Sequence, residues 1–269
     1  MNLIERIKYR KTNEYQDYKK VLEANKKDIE RFALYYKDTR AKLDDAIKKG
    51  DDAKLIKNLT TDLQRWYYEY QKSILESNFI RPNSKEEIDK RDTLGDIFPK
   101  ELSNILGSDS NLRFHGTPIY FAKEIIKSGT ISSSADRFAG YIHSTDESGF
   151  FSASTIDSLS RTIDFFTDFA SYNRCLPCGV LFVLNEKEGD SELRSRSQMH
   201  NIDFKKNPEQ LVGIVCTDEV KDMAIKWCNE YNMDSTKVFS YYEFLEYAKE
   251  NDLENNKQRL YWDIYNYLI

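Results

Sequence analysis

A long helical periodicity near the start of the chain, broken only once, constrains the fold more than any other feature of the sequence. Between Tyr15 and Ile47 the apolar residues keep to steps of three, four or seven, which is the period of an amphipathic helix. Gly50 predicts the end of this helix, and the Asp pair that follows it predicts the N-cap of the next. A second run with the same period covers residues 55–74. Two long helices joined by a short turn predict a helical hairpin.

The hairpin carries a stripe of aromatic side chains that has to be buried against the hairpin itself, against the rest of the chain or against a partner protein. Packing within the chain is the interpretation we favour. Residues 81–111 contain Pro82, Pro99 and scattered charges, and they predict a linker with a short helix around residues 100–106. The hairpin and linker together give a first domain over residues 1–100.

The remainder, residues 108–269, predicts an α+β domain in which short strands alternate with helices. Asp218 predicts the N-cap of a helix that runs to about Tyr231. Ser240 and Glu243 predict a capping box that opens a final amphipathic helix. Apolar runs predict a short aromatic strand and two buried strands, at residues 149–154, 179–184 and 211–216.

The segment Leu112–Thr117 predicts a strand that leads through a His-Gly turn into a helix. Thr117 is expected as the N-cap, Pro118 as the first helical residue and Gly129 as the C-terminal stop. Gly116 has no Cβ, so its backbone can approach a ligand closely.

Composition narrows the possible settings. The mean hydropathy is −0.70, the first thirty residues are charged throughout, and the sequence contains no apolar run of membrane-spanning length. We therefore expect a cytoplasmic protein, and an effector injected without a cleaved signal would have the same features. Residues 1–80 carry 18 Lys and Arg against 14 Asp and Glu, whereas the remainder carries 22 against 31. The front of the chain is mildly basic, which is weak evidence for nucleic-acid binding.

The four cysteines are too few for a disulfide scaffold. Cys175 and Cys178 form the only CxxC motif, and it precedes a strand, whereas a redox CxxC opens a helix. Cys216 and Cys228 lack the spacing of a second zinc-binding pair. We interpret the motif as a turn with two ordinary thiols, with metal or redox use as the alternative, and we expect no metal.

Three motifs in order resemble the ADP-ribosyltransferase superfamily, in the branch with a His on the first strand and a diphtheria-toxin-like NAD-binding fold. They are residues 113–117 (Arg-Phe-His-Gly-Thr), residues 149–154 (Gly-Phe-Phe-Ser-Ala-Ser) and an acidic residue, Glu209, that enters a late strand. The resemblance covers roughly residues 110–216. It implies an α+β domain with a split, mixed or antiparallel sheet and NAD as co-substrate, whose bond between nicotinamide and ribose is cut through a transition state with oxocarbenium character.

The resemblance assigns NAD-binding roles to the first two motifs. His115 matches the family His that hydrogen-bonds the adenosine ribose, and Gly116 matches the residue whose backbone holds the nicotinamide amide. Phe151, or its neighbour Phe150, stands where the family usually has a Tyr that stacks on nicotinamide, and Phe keeps that π-face.

Further NAD contacts are assigned to residues around these motifs. Ser152 and Ser154 occupy a supporting Ser-x-Ser pattern, although Ser154 serves equally well as a helix cap. Arg113 alternates with His115 on the strand, so the two face the same side and the guanidinium can meet NAD phosphates or a carboxylate. The remaining cofactor candidates are Thr117, beside Gly116, and Arg137, for the diphosphate.

The catalytic acid is assigned to Glu209, which immediately precedes the apolar run at residues 211–216. An ionised carboxylate there would bond the ribose 2′-hydroxyl and stabilise developing positive charge. Glu192 is the alternative acid. Asn207 occupies the position where several members carry a target-recognition Gln or Glu.

These assignments predict a mono-ADP-ribosyltransferase that modifies a macromolecule, with RNA or DNA slightly favoured over protein. A bacterial toxin or phage-defence toxin fits best, with a neutralising partner possible at the helical hairpin, and an effector that modifies a host protein is the alternative. An RNA 2′-phosphotransferase would need more Arg and His residues than this chain has, since it has only three His. A non-catalytic binding module on a degenerate transferase fold is the remaining hypothesis.

Overall fold

The computed structural model describes residues 12–107, 110–132, 150–153, 155, 156, 159, 175–185, 198–251 and 253. Within these residues the chain is mixed α+β and mostly helical, with six α-helices and a mixed parallel and antiparallel sheet. Its contacts divide it into two units. The first comprises residues 1–82 with 132–151, and the second comprises residues 83–131 with 152–269.

The first unit contains the predicted hairpin, formed by α1 (Asn13–Lys49) and α2 (Ala53–Ser77). The Thr12 hydroxyl accepts a hydrogen bond from the Tyr15 backbone N–H and caps α1. Gly50 ends α1 in the left-handed conformation, with φ 72°, which a residue without a Cβ adopts most easily. Asp52 occupies the N-cap position of α2. The hairpin, its glycine stop and its cap position are confirmed.

The two helices pack through the aromatic stripe. The Trp66 ring lies 4.9 Å from Tyr35 and 6.1 Å from Phe32, measured between ring centroids, and Tyr36 lies 5.6 Å from Tyr67. Part of the stripe is therefore buried within the hairpin, as expected. The large apolar side chains that remain exposed on it are Leu34, Tyr35, Ile47, Leu55 and Tyr67.

The second unit begins before the boundary expected from the sequence. Helix α3 spans Lys85–Leu106, much longer than the short helix predicted around residues 100–106. Ser84 and Glu87 open it with a capping box in which each side chain accepts from the other residue's backbone N–H, at 3.1 and 2.7 Å. Pro99 lies inside the helix. Residues 83–107 thus belong to the second unit rather than to a linker of the first.

The described strands are β1 (Leu112–Thr117), β2 (Thr130–Ile131), β3 (Phe150–Ser152), β4 (Val180–Asn185), β5 (Gln198–His200), β6 (Ile202–Asp203), β7 (Leu211–Cys216) and β8 (Val238–Ser240). A four-stranded sheet in the order β1-β4-β7-β8 forms the centre of the second unit. The strands β1 and β4, and likewise β4 and β7, are antiparallel, whereas β7 and β8 are parallel. Strands β2 and β6 form a separate antiparallel pair.

Three more helices complete the unit. They are α4 (Ile119–Ser128), α5 (Asp218–Glu230) and α6 (Tyr241–Glu250). Short 3-10 helices, Pro208–Gln210 and Ser235–Lys237, precede β7 and β8. Strands β4 and β7 confirm the two predicted buried runs. Every residue of β7 is buried, and so is every residue of β4 except Asn185. The Ser240 capping box at α6 is also confirmed.

Two predicted caps are each displaced by one residue. Thr117 remains in β1, and Pro118, rather than Thr117, occupies the N-cap of α4. Thr217, rather than Asp218, occupies the N-cap of α5. In α4 the cap moves one residue later because β1 continues through Thr117. In α5 it moves one residue earlier because Asp218 is already helical. Gly129 ends α4 with φ 72°, as predicted.

One face of the sheet packs against α3 and α6. The Phe98 ring of α3 lies 4.7 Å from Tyr241 and 6.4 Å from Phe244 of α6. Gly213 of β7 lies directly beneath Phe244, because a Cβ built there would come within 2.9 Å of that ring. The absence of a side chain at Gly213 therefore lets α6 lie close to the sheet. Arg113, His115 and Thr117 of β1 lie on the opposite face, as their alternation with Phe114 and Gly116 requires.

Candidate functional site

The His-Gly pair is part of β1 and is not a turn. His115 lies opposite Phe182 and Gly116 opposite Leu181 in the antiparallel pairing with β4. Gly116 is absent from the residues with positive φ, so its role can only be the lack of a side chain. The strand continues past Gly116 because β4 pairs with it as far as Thr117.

Arg113, His115 and Thr117 share one face of β1, as the sequence predicted for the first two, since side chains alternate along a strand. Arg113 and Thr117 are buried, with 7% and 4% of their surface exposed, and His115 is half-buried. Arg113 is thus a buried cation on the face that carries the candidate histidine. A buried guanidinium is held by compensating polar groups and has a defined orientation.

An aromatic row extends from His115 across this face. The centroid of the His115 ring lies 6.5 Å from that of Phe182. The Phe182 ring in turn stacks on Phe204, with centroids 6.4 Å apart and ring planes 13° apart. Phe182 and Phe204 were not among the residues selected from the sequence, and their alignment depends on the pairing of β4 with β1.

Glu209 lies exposed in the 3-10 helix Pro208–Gln210, directly before β7. Asn185, at the end of β4, donates from Nδ2 to the Glu209 backbone carbonyl at 3.3 Å. Asn207 is the N-cap of the same short helix, and its carbonyl accepts from the Gln210 N–H at 3.1 Å. The backbone around Glu209 is thus fixed on both sides, while the residue as a whole is exposed.

The turn before Asn207 is built around Asp203. Its carboxylate accepts from the backbone N–H groups of Lys205 and Lys206, at 3.0 and 3.3 Å, and from the Lys206 side chain at 3.3 Å. Burial acts to raise the pKa of Asp203, but these hydrogen bonds outweigh it and the pKa is lowered. Asp203 therefore remains ionised and keeps this turn closed at neutral pH.

The order of the strands relates Glu209 to Arg113. Strand β4 lies between β1 and β7, and because it is antiparallel to both, β1 and β7 begin at the same end of the sheet. Leu184 pairs with both Arg113 and Leu211, so Arg113 and the start of β7 lie two strand spacings apart, about 10 Å. Glu209, two residues before Leu211, projects from the sheet end nearest Arg113.

Other predicted site residues lie partly or wholly outside the described residues. Phe151 and Ser152 belong to β3, of which only the backbone is described. The candidates outside the described residues are Arg137, Ser154 and the alternative acid Glu192.

A cavity of about 510 Å³ lies beside Glu209, and sequence reasoning did not identify it. Pro208 and Leu211 line one side, and the segment between α5 and β8 lines the other, including Tyr231, Asp234 and Lys237. Asn232, in the same segment, has φ 59°, an uncommon conformation for a residue with a side chain. No local pattern could have indicated this cavity, because its walls come from two segments, residues 204–211 and 231–237, that are separated in the chain.

The CxxC turn is held as a structural element. The Leu176 carbonyl accepts hydrogen bonds from Asn83 Nδ2 at 2.7 Å and from Arg91 Nη1 at 3.1 Å. Cys175 and Cys178 are both buried free thiols, and burial raises the pKa of Cys178 to about 12. A protonated thiol is neither a metal ligand nor a nucleophile. No group of three or more His, Cys, Asp or Glu side chains suited to a metal ion occurs among the residues that the structure describes.

In the described parts of the chain, no helix is both long enough and apolar enough to cross a bilayer. The chain matches no family model, no curated protein and no solved structure. The chemistry of its own residues therefore has to support any functional proposal.

Proposed function

We propose that this protein is a NAD-dependent mono-ADP-ribosyltransferase with an ADP-ribosyltransferase-like second domain, acting on a macromolecular target. The observation that supports the proposal most is the register of the sheet. It leaves Arg113 and His115 on one face of β1, and it leaves Glu209 at the entry to β7 on the same sheet end as Arg113. The resemblance assigns NAD binding to the first strand and the charge-stabilising carboxylate to the residue that enters the late strand.

The described residues fit the binding of NAD. His115 is half-buried, so its ring can reach a ligand, and it lies beside the Phe182 ring. An imidazole can donate to or accept from a ribose hydroxyl. Arg113 supplies a positive charge on the same face, suited to a diphosphate. Gly116 has no side chain of its own to obstruct a ligand that approaches its backbone.

NAD supplies an ADP-ribosyl group, released when the bond between nicotinamide nitrogen and ribose C1′ breaks and nicotinamide leaves with the bonding electrons. An oxygen or nitrogen of the acceptor forms the new bond to C1′, and its proton passes to water. In this reaction Glu209 holds the ribose 2′-hydroxyl and stabilises the positive charge that develops on the sugar. The exposed carboxylate of Glu209 is accessible for both contacts.

A toxin or phage-defence role, with a nucleic-acid target favoured over protein, completes the proposal. The basic surface of residues 1–80 supports it through charge alone. The exposed apolar residues of the hairpin suit a contact with a neutralising partner protein.

The test incubates the full chain with labelled NAD and separate pools of RNA, DNA and protein. Nicotinamide release and transfer of label are measured for the wild type, His115→Ala and Glu209→Gln. We expect Glu209→Gln to lower the rate by about a hundredfold or more, the usual effect of removing one group that stabilises transition-state charge. Glu246→Gln, an exposed carboxylate on α6, is the matched control and should retain full activity.

The absence of nicotinamide release with every pool would contradict the proposal. So would a wild type that is indistinguishable from both variants. Either result would favour the non-catalytic binding module. Nuclease and protease sensitivity of the labelled product identifies the class of target.

A further inference from the structure

The cavity beside Glu209 carries an inference about the acceptor, which rests on the proposed function. Phe204 lines the cavity, and its ring stacks on Phe182, the neighbour of His115. The cavity thus opens on the same sheet face as His115. The cavity lies near the start of β8, at one edge of the sheet, whereas His115 lies on β1 at the other edge.

Glu209 therefore stands between two different surfaces. Arg113 and His115 of β1, where the proposal places NAD, lie on one side, and the cavity lies on the other. The acceptor in a transfer reaction has to approach C1′ from outside the NAD site, next to the group that stabilises the sugar. A cavity bounded by Pro208 and Leu211, the residues around Glu209, meets this condition.

The lining combines an apolar floor with one accessible aromatic ring. Phe204, Leu211 and Met233 are buried and form apolar walls, and Tyr231 is half-buried. A volume of about 510 Å³ falls within the range of small-ligand pockets. A flat aromatic group that stacks on Tyr231 would fill such a space.

The cavity lining includes both positively and negatively charged side chains. Lys237 donates from Nζ to the carbonyls of Pro208 and Leu211, at 2.8 and 2.5 Å, and its third N–H remains available to a ligand by valence. Lys205 is exposed at the rim. Asp234 Oδ1 accepts from the Thr236 N–H and hydroxyl, at 3.0 and 2.6 Å, which leaves Oδ2 as a second acceptor.

We propose that this cavity binds one unstacked nucleotide of a single-stranded nucleic-acid acceptor. Tyr231 stacks on the base, and Asp234 accepts from an amino group on the base edge. Lys205 and Lys237 contact the adjoining phosphate. The combination of a stacking ring, an acceptor for base N–H groups and two lysines is the chemistry by which single-stranded nucleic acids are bound. The acceptor atom is then a nitrogen or oxygen of that nucleotide, and it forms the bond to C1′ described above.

The first experiment measures binding without NAD, so it does not depend on catalysis. Fluorescent single-stranded RNA and DNA oligonucleotides are titrated with the full chain, and anisotropy gives the affinity. We expect Tyr231→Ala to weaken binding about tenfold or more, as for loss of one base-stacking contact. Lys205→Gln should weaken binding and reduce its salt dependence. Tyr242→Ala and Lys226→Gln are matched exposed controls on α6 and α5, and they should bind as the wild type does.

The second experiment follows the two halves of the reaction in the same variants. Transfer of label to the oligonucleotide should fall in Lys205→Gln along with its binding. Both nicotinamide release and transfer in the control Lys226→Gln should equal those of the wild type. A wild type that binds oligonucleotides at the cavity but releases no nicotinamide would sink the proposed function and leave the cavity assignment standing.

Competition identifies the source of the nucleotide. If mononucleotides compete as well as oligonucleotides do, the cavity recognises the single unit; if only strands compete, contacts outside it contribute. Both outcomes support a nucleotide site. Unchanged oligonucleotide binding in both Tyr231→Ala and Lys205→Gln would overturn it. Label transferred only to protein, with transfer reduced by the cavity variants, would show that the cavity takes a polypeptide and would overturn it as well.

Discussion

At the scale of single residues, Arg91 and Glu219 form a largely buried charge pair in the second unit. Arg91 Nε donates to Glu219 Oε1 at 3.0 Å, and 4% of the Arg91 side chain is exposed. The same carboxylate oxygen accepts from the Cys178 backbone N–H at 3.4 Å. Together with the bond from Arg91 to the Leu176 carbonyl, these contacts fix the turn before β4 between α3 and the start of α5.

Removal of one partner should be costly because the other charge stays buried. We expect Arg91→Met to lower the free energy of unfolding by about 3–5 kcal/mol, measured by urea denaturation. Lys90→Met, which removes an exposed pair with Glu86 on the same helix, should cost less than about 1 kcal/mol. A double variant, Arg91→Met with Glu219→Leu, should recover part of the loss. Equal destabilisation by Arg91→Met and Lys90→Met would show that the buried pair has no special role.

At the scale of elements, the start of α6 is held by a capping box and by a contact from α5. Ser240 Oγ accepts from the Glu243 N–H at 3.3 Å, and Glu243 Oε2 accepts from the Ser240 N–H at 2.6 Å. Lys221 of α5 donates to the other oxygen of Glu243. Glu243 therefore links β8, α5 and α6 through one carboxylate.

The pH dependence of this junction follows from its hydrogen bonds. The Lys221 side chain and the Ser240 N–H lower the pKa of Glu243 below its ordinary value. A lowered pKa in the folded state means that the carboxylate stabilises the fold above its unfolded pKa, and that this stability is lost as the pH falls through the folded value. Because the side chain is 49% exposed, solvent screens the ion pair, and its contribution is about 0.5 kcal/mol.

We therefore expect Glu243→Gln to be less stable than the wild type at pH 7, with the difference shrinking below about pH 4. Urea midpoints measured from pH 7 to pH 3 test this. Glu246→Gln on the same helix, where the carboxylate faces Lys249 at the surface, should show a smaller difference at pH 7. A gap between Glu243→Gln and wild type that is constant with pH would contradict the assignment.

At the scale of the whole molecule, all four cysteines are buried free thiols of the second unit. Burial raises the pKa of Cys178 and of Cys228 to about 12, and it raises the pKa of Cys216 as well. The rate at which thiol reagents label these cysteines therefore measures unfolding of the second unit, without an engineered probe.

We expect thiol reagents to label the native protein slowly at neutral pH. A pKa of about 12 for Cys178, against roughly 8.5 for a free thiol, lowers the thiolate fraction about three-thousandfold. In guanidinium all four thiols should react rapidly, and Arg91→Met should speed labelling of the native state because it loosens the turn that carries Cys178. Fast labelling of any of Cys178, Cys216 or Cys228 in the native wild type would contradict their burial.

The sequence predicted those parts of the fold that depend on near neighbours. The period of α1 and α2, the stop at Gly50, the buried run of β7 and the capping box of Ser240 with Glu243 are all local patterns, and all are confirmed. The sequence predicts too short a helix at α3, because Pro99 and the scattered charged residues obscure the helical period. Ser84 and Glu87 nevertheless have the spacing of a capping box in the sequence.

The sequence by itself determined the two hairpin helices, the buried runs of β4 and β7, and the placing of Arg113 and His115 on one side of β1, because alternation and periodicity are properties of the backbone. Only the tertiary structure decided that β4 separates β1 from β7, which sets Glu209 at the sheet end of Arg113. The tertiary structure alone also formed the cavity beside Glu209. Strand pairing and cavity walls depend on packing between residues far apart in the chain, and no local pattern records that packing.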